Sequence, residues 1–397
     1  MPDSVWLVLG QVGLGFAGLE EKTSHGGYAL RLPDPPSDPP AVVWLKYDDI
    51  VADELAWCPG ADGQGGEQQL PALTGRSAVW SGAAFDVRAQ ALRLGNGTDR
   101  PAPTFLVFEQ PDGGAGRVRR TVYACSRMRE SGLLFGRIGE DDTDQASPLL
   151  ASVERVAQAH PAVLRRMSDE SRQTTKFFPD TEIELKFTFE SDVSPWVVTS
   201  DLAAAVQRRE LPDFIPDVGN EYQRWSYEQD TFALERDGVS VGYAAFMLTP
   251  SQEYVVKYKM YPADGLRRQE TFDMNVRLEP SDFQDYLRTA LPGTTASALA
   301  HLTRSRFDVN VQSARTGHYF GLEMDEVTAA GHTLRQLELE YHRSQLVAGC
   351  DQAAVEPELM RLRDLVAGVL SDRGYQYSVG YLSKLSFLKG LPVPAPG

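Results

Sequence analysis

The feature that most constrains the fold is a set of segments in which charged and apolar side chains alternate. In TEIELKFTF, residues 181–189, the charged positions alternate with Ile, Leu and Phe. Side chains of a strand point to opposite faces in turn, so this segment is predicted to be a strand with one charged and one apolar face. The charged face carries Glu182, Glu184 and Lys186.

Five later segments repeat this alternation. Their charged positions are Lys257 and Lys259; Asp273, Asn275 and Arg277; Arg304, Arg306 and Asp308; Glu323 and Asp325; and Glu338 and Glu340. A sheet with one solvated face would also alternate, so the pattern alone allows either a solvated or an enclosed charged face. Acids dominate the first and last segments and bases the middle ones, which favours a sheet that curls with its charged faces inward.

An enclosed charged face of this kind has a defined chemistry. Carboxylate oxygens are the natural ligands of magnesium or manganese. Arg and Lys opposite them suit phosphate oxygens, Arg through its planar fork and Lys as a point charge. Like charges face inward only if a metal and a ligand offset their desolvation and repulsion. The pattern therefore predicts a β-cavity that binds a phosphorylated small molecule with a divalent ion.

At this point the sequence resembles the CYTH superfamily, also called triphosphate tunnel metalloenzymes, over about residues 175–390. The ExExK signature of the family is matched on the first strand, and basic strands, an ELE-like strand and a late Ser-Lys pair follow in the family's order. These matches are Glu182, Glu184 and Lys186; Lys257 with Lys259; Arg304 with Arg306; Leu337 to Glu340; and Ser383 with Lys384. The resemblance implies a closed antiparallel tunnel in which acids bind Mg²⁺ or Mn²⁺ and bases bind a polyphosphate.

The pattern and the resemblance together predict a site in which Glu182, Glu184 and Lys186 are catalytic. The predicted metal ligands are Glu182, Glu184, Glu323, Asp325, Glu338 and Glu340, and the predicted phosphate-binding residues are Lys257, Lys259, Arg277, Arg304, Arg306 and Lys384. The simplest activity for such a site is that of a metal-dependent phosphohydrolase.

Two alternatives stay open. The strand VSVGYAAFML, residues 239–248, has no basic residue where family members carry Arg. An apolar wall there would suit an isoprenoid diphosphate, and loss of diphosphate from carbon would make the enzyme a lyase or cyclase of the terpene cyclase type. The other alternative is a non-catalytic phosphate-binding module.

The chain of 397 residues is long enough for two domains. Residues 1–145 are predicted to be a β-rich accessory domain, with strands at 5–9, 42–46, 104–108 and 121–125. A helix and linker follow at 146–176, and a tunnel domain covers 177–397. Helices are predicted at 149–157, 201–209, 282–291 and 357–372. Strands with sporadic helices indicate the α+β class.

Composition excludes several classes of protein. A formal net charge of −16 without a basic cluster argues against nucleic-acid binding. Cys58, Cys125 and Cys350 are widely spaced, which fits a reducing cytoplasm, and no apolar run reaches the ~20 residues of a membrane span. The GxGxxG match at 13–18 is followed by turns instead of the helix of a dinucleotide site. The Asn-Gly-Thr triplet at Asn96 is predicted to be a turn.

Overall fold

The computed structural model describes residues 4–10, 27–33, 38–47, 50–52, 54–58, 77–78, 102–112, 116–129, 131–167 and 172–391. The chain divides into two compact units, one drawn from residues 1–175, 313–317 and 344–351 and the other from 176–312, 318–343 and 352–397. The predicted domain bounds stay a prediction. The segments at 13–18 and at Asn96 lie outside the described residues. No described helix is long and apolar enough to cross a membrane.

The first unit contains an antiparallel sheet and two helices. Its elements are β1 (Ser4–Gly10), β2 (Gly27–Leu32), β3 (Val42–Lys46), β4 (Val51–Ala52), β5 (Glu54–Cys58), β6 (Ser77–Ala78), β7 (Ala102–Pro111), β8 (Arg117–Arg129), β9 (Gly132–Asp144), α1 (Leu149–Ala159), α2 (Pro161–Met167) and β10 (Thr174–Thr175). The seven-stranded sheet has the order β3–β9–β8–β7–β1–β2–β5. Leu30, Leu106 and Phe135 are buried in its core. The predicted strands fall within β1, β3, β7 and β8, which confirms the β-rich character of this region.

The second unit is built around a closed barrel. Its elements are β11 (Thr181–Phe189), α3 (Pro195–Gln207), β12 (Phe214–Pro216), β13 (Tyr222–Arg236), β14 (Val239–Leu248), β15 (Tyr254–Met260), β16 (Arg267–Val276), α4 (Phe283–Ala290), β17 (Thr295–Ala298), β18 (Leu302–Ser313), β19 (His318–Ala329), β20 (His332–Gln345), α5 (Val355–Asp372), β21 (Tyr377–Gly380) and α6 (Lys384–Lys389). Single 3₁₀ turns occur at Pro280–Asp282 and Gln352–Ala354. Around the barrel the order is β11–β16–β15–β14–β13–β18–β19–β20, and β20 pairs with β11 to close it. The predicted α+β fold with an antiparallel barrel is therefore confirmed.

The first barrel strand is buried on both faces. Ile183, Leu185 and Phe187 of β11 pack into a core that also contains Leu202 of α3 and Leu362 of α5. Each such aliphatic or aromatic side chain contributes about 1.5–3 kcal/mol when it is withdrawn from water. Because the outer face is committed to this core, alternation directs the charged face of β11 into the barrel.

Helix α3 begins six residues before its predicted start. Pro195 occupies the first turn, where its fixed φ suits a helix and its missing N–H costs nothing, and Ser194 is the N-terminal cap. The predicted helices at 282–291 and 357–372 correspond closely to α4 and α5, and α5 ends just before Gly374, which has φ 79°.

The apolar strand β14 is packed against protein on both faces. On its outer face Phe246 stacks on Phe283 of α4, with 4.0 Å between ring centroids. On its inner face Tyr243 and Ala245 pack with Leu385 of α6. This packing accounts for the apolar sequence without a hydrocarbon ligand.

A bulge interrupts the alternation of side chains along β14. Leu234 of β13 pairs with Gly242 and the next residue, Glu235, pairs with Ser240, so Val241 has no partner there. Gly242 has φ +133°, a conformation that side chains rarely adopt, and a Cβ there would lie 1.9 Å from the Lys259 carbonyl oxygen. Because of the bulge, Val241 packs in the outer core with Phe246 and does not share the inner face with Tyr243.

Candidate active site

Three carboxylates converge inside the barrel. Glu184 of β11 lies directly opposite Glu340 of β20. Oxygens of Glu182, Glu184 and Glu340 lie within 4.8 Å of one another. The Oε2 atoms of Glu182 and Glu184 are buried without a hydrogen-bond donor among the described residues. Glu340 likewise forms no hydrogen bond or ion pair with a described residue.

The electrostatics of these three carboxylates differ. Burial, and then repulsion by Glu182, raises the pKa of Glu340 well above its usual range. Burial and the neighbouring Glu184 also raise the pKa of Glu182. Burial alone would raise the pKa of Glu184 as well, but Lys186 and Lys259 lower it below its usual range. The unpaired Oε2 atoms of Glu182 and Glu184 and the raised pKa values of Glu182 and Glu340 are typical of a carboxylate group that can accept a further cation.

The bases of the barrel are gathered around one carboxylate. Glu338 is buried and accepts hydrogen bonds from Lys384 Nζ at 2.7 Å and from Arg304 at 3.1 Å, and it also contacts Lys186 and Arg306. Four cations thus share one acceptor, and in spite of burial they lower the pKa of Glu338 well below its usual range.

Asp325 provides a second acceptor for the same bases. It accepts hydrogen bonds from the Nε atoms of Arg304 and Arg306 at 2.9 and 2.7 Å, and Lys384 Nζ lies 2.9 Å from its Oδ2. Glu338 and Asp325 were predicted as metal ligands. The structure places both among the bases instead of in the carboxylate group.

Lys257 and Lys259 of β15 lie on the other side of the interior. Lys259 Nζ is 2.6 Å from Glu182, and Lys257 Nζ is 2.5 Å from Glu270. The structure therefore brings the predicted phosphate-binding residues of β15, β18 and α6 to one barrel interior.

Arg277 is the exception among the predicted phosphate-binding residues. It lies just beyond the end of β16, its side chain is 84% exposed, and it pairs with Glu253 at 2.9 Å. The prediction that it lines the cavity is wrong, because Arg277 lies past the last residue of β16 and its exposed charge is paired with Glu253.

The face of β16 that was expected to line the cavity turns outward. Asp273 accepts hydrogen bonds from Tyr258 and Tyr286, whose rings pack in the outer core beside α4. The inner face instead carries Arg268 and Glu270, which are 2% and 9% exposed. Arg268 forms an ion pair with Glu184 inside the barrel. Because both faces of β16 carry charged residues, the positions of the charges did not show which face of the strand turns inward.

A second potential ligand group includes a histidine. Glu323, Glu340 and His342 offer ligand atoms within 4.8 Å of one another, and His342 Nε2 lies 2.9 Å from Glu323. Burial, and then Arg343, lowers the pKa of His342 to about 4, which keeps the ring neutral. Gly321 makes room for this ring, since a Cβ there would lie 2.6 Å from His342 Cε1. Glu323 also forms an ion pair with Arg306. No sequence spacing had indicated His342.

Helix α6 carries the last predicted base into the interior. Ser383 caps the helix by accepting a hydrogen bond from the Ser386 backbone N–H at 3.0 Å. Lys384 then reaches Glu338, while Leu385 packs against Tyr243 and Tyr261. The described interior thus contains seven Lys and Arg side chains and eight carboxylates, and their charges nearly balance. They are Lys186, Lys257, Lys259, Arg268, Arg304, Arg306 and Lys384, with Glu182, Glu184, Glu270, Asp308, Glu323, Asp325, Glu338 and Glu340.

No protein-family model matches the sequence, and neither does any curated protein. Among solved structures, a putative adenylyl cyclase from Hippeastrum, described as having a dominant triphosphatase activity, aligns at 16% identity over 54% of this chain and 97% of its own, with a TM-score of 0.31. A putative adenylate cyclase from Bacillus halodurans aligns at 13% identity over 52% of this chain and 98% of its own, with a TM-score of 0.28. The S. pombe Pct1 RNA triphosphatase aligns at 15% identity over 49% of this chain and 82% of its own, with a TM-score of 0.23. Similarity this weak carries no argument, so the description of the fold rests on strand pairing and on the inward-facing charges.

Proposed function

We propose that the second unit is a divalent-metal-dependent phosphohydrolase acting on a tri- or diphosphate held inside the barrel, in keeping with the resemblance of its sequence to the CYTH superfamily. The observation that carries the proposal is a carboxylate group beside a cluster of bases within one interior. Oxygens of Glu182, Glu184 and Glu340 lie within 4.8 Å of one another, and the Oε2 atoms of Glu182 and Glu184 accept no hydrogen bond from a described residue, while Lys and Arg side chains surround Glu338.

The carboxylate group fits a hard divalent ion. Mg²⁺ and Mn²⁺ take oxygen ligands, and the unpaired Oε2 atoms of Glu182 and Glu184 are such ligands. Glu340 completes the group from the opposite strand. When bound, the ion would polarise phosphoryl oxygens and lower the pKa of an attacking water.

The bases would bind the phosphates and neutralise charge on the leaving group. Arg304 and Arg306 direct their guanidinium groups at Asp325 and Glu338. Phosphate oxygens match the same geometry, so the ion pairs with Asp325 and Glu338 keep both guanidinium groups in an orientation that can bind a phosphate. Lys186 and Lys384, which also contact Glu338, add compact positive charge at the same place.

Because the positive and negative charges of the interior nearly balance, metal and phosphate are expected to bind together. A polyphosphate alone would leave the carboxylates with excess negative charge, and a metal alone would compete with bases already in place. Each ligand offsets the repulsion that the other would meet, so each is expected to raise the affinity for the other.

The substrate class and the bond that is cut can be tested in one experiment. We would incubate the protein with nucleoside triphosphates, inorganic triphosphate and prenyl diphosphates, each with Mg²⁺ or Mn²⁺, and identify products by mass spectrometry. Release of phosphate from a triphosphate supports the proposal. Formation of hydrocarbons from prenyl diphosphates would identify a lyase, and binding without any product would identify a binding module.

Glutamine in place of Glu340 is expected to separate fold stability from metal binding. Because the pKa of Glu340 is raised well above its usual range, folding at neutral pH without metal must protonate this carboxyl or bury its charge, and Gln avoids that cost. In the presence of a chelator the variant should therefore melt a few degrees higher than the wild type, about 2–4 °C per kcal/mol. The rise in melting temperature that Mn²⁺ gives the wild type should be lost, because ligand linkage requires the site. The measurement is thermal unfolding with and without Mn²⁺.

The matched control for this substitution is Glu326→Gln. Glu326 pairs with Arg335 at 2.8 Å on the same sheet and is not part of either carboxylate group. This variant should keep the Mn²⁺ effect. A full Mn²⁺ effect in Glu340→Gln would remove Glu340 from the proposed metal site.

A further inference from the structure

Exposure along the inner face of β16 shows which end of the barrel interior opens to solvent. Arg268 and Glu270 are 2% and 9% exposed, whereas Phe272, on the same face, is 47% exposed. Along β13 the exposure of inward-facing side chains increases toward lower residue numbers. Gln229 is buried, Tyr227 is half-buried and Trp225 is 53% exposed. Both strands therefore become exposed toward one end, the end at which β11 begins.

The other end is occupied by the chain itself. Gln336 of β20, opposite Thr188 near the end of β11, donates a hydrogen bond to the Leu382 carbonyl at 3.1 Å. Lys384 and Leu385 follow and are buried against interior residues. A substrate larger than its phosphates must therefore extend toward the end at which β11 begins.

Aromatic side chains at the open end lie next to the phosphate-binding bases. Trp225 is directly opposite Arg306 in the β13–β18 pair, and its indole Nε1–H donates a hydrogen bond to Gln223 Oε1 at 3.2 Å. Phe272 is directly opposite Lys257, whose Nζ lies 5.4 Å from the ring centroid. Side chains directly opposite each other in an antiparallel pair lie on the same face, so both rings face the interior.

We propose that Trp225 and Phe272 form a rim subsite that stacks a planar aromatic ring of an organic phosphate substrate, such as a nucleoside triphosphate. This inference rests on the proposed function and names the substrate class of that site. A ring on Trp225 places the attached phosphates toward Arg306, and a ring on Phe272 places them toward Lys257. Stacking on indole or phenyl faces accepts any planar ring, because each base has a π-face.

The opposite face of β13 supplies a matched control. Tyr222 lies opposite Val309, a residue of the outer core, so its side chain points away from the interior. Tyr222 is exposed to a similar extent as Trp225, at 56%, and lies three residues from it. Tyr222→Ala therefore removes an equally exposed aromatic ring without touching the rim.

The test is isothermal titration in the presence of Mg²⁺ with non-hydrolysable imido analogues of a nucleoside triphosphate and of inorganic triphosphate. Trp225→Ala should weaken binding of the nucleotide analogue about tenfold, the effect of removing one stacking partner, and leave the inorganic analogue unchanged. Phe272→Ala should act in the same direction. Tyr222→Ala should match the wild type for both ligands.

Three outcomes would overturn the inference. One is wild-type affinity of Trp225→Ala and Phe272→Ala for the nucleotide analogue, and another is an equal loss for both analogues. The third is Trp225-dependent binding of geranyl diphosphate in preference to the nucleotide, which would make the rim a hydrocarbon site. Failure of every phosphate ligand to bind wild type would overturn the proposed function as well, so the two claims can be told apart.

Discussion

Replacing Glu338 with alanine is expected to lower the free energy of unfolding by about 3–5 kcal/mol, the cost of leaving buried charges without their partner. Glu338 is buried and serves Lys186, Arg304, Arg306 and Lys384 at once. Without it, Arg304 and Lys384 would keep Asp325 as their acidic partner, Arg306 would keep Asp325 and Glu323, and Lys186 would keep Glu184, so five positive-to-negative pairs would have to offset the repulsion that Glu338 now relieves. Urea unfolding followed by circular dichroism gives the free energy directly.

Two comparisons make this expectation specific. Glu326→Ala removes the partly exposed Glu326–Arg335 pair and should cost less than about 1 kcal/mol. Inorganic triphosphate should restore part of the stability of Glu338→Ala, since phosphate oxygens would replace the missing carboxylate. A loss below about 1 kcal/mol in Glu338→Ala, or no restoration by triphosphate, would show that the bases do not depend on this residue.

Replacing Arg306 with alanine is expected to reduce kcat for triphosphate hydrolysis by about 10²–10³-fold, as removal of one preorganised charge donor does in other enzymes. Arg306 is mostly buried and directs its fork at Asp325 and Glu338, where we place the substrate phosphates. Arg306→Lys keeps the charge but loses the fork, so its activity should be intermediate. The measurement is the initial rate of phosphate release at saturating substrate.

Arg224 provides the control for this substitution. It lies on β13 with its guanidinium 5.9 Å from the Phe307 ring, on the outer face of the barrel. Arg224→Ala should retain wild-type kcat. Wild-type kcat in a folded Arg306→Ala protein would show that Arg306 is only a structural ion-pair partner.

The sequence predicted the orientation of side chains best in strands with one wholly apolar face. In β11 the apolar face of Ile183, Leu185 and Phe187 had to enter a core, which left one orientation for the charged face. Strand β16 has polar or charged residues on both faces, so local alternation could not decide which face turned inward. Arg268 was missed for that reason, and Arg277 was misplaced.

Contacts between segments far apart in sequence account for the other differences. The bulge at Gly242 moved Val241 to the outer core, which no alternation rule anticipates. The ring of His342 joins the interior because Gly321, on a neighbouring strand, leaves space for it. Lys384 was predicted only through the family resemblance, since a short C-terminal helix carries no strand pattern.

Anomalous X-ray diffraction from crystals grown with Mn²⁺ and an imidotriphosphate would show directly whether metal and phosphate bind inside the barrel. We expect an anomalous peak among Glu182, Glu184 and Glu340, with phosphate density against Arg304, Arg306 and Lys186. Manganese and phosphate located only outside the barrel, with the interior ion pairs of Glu338 unchanged, would contradict this expectation.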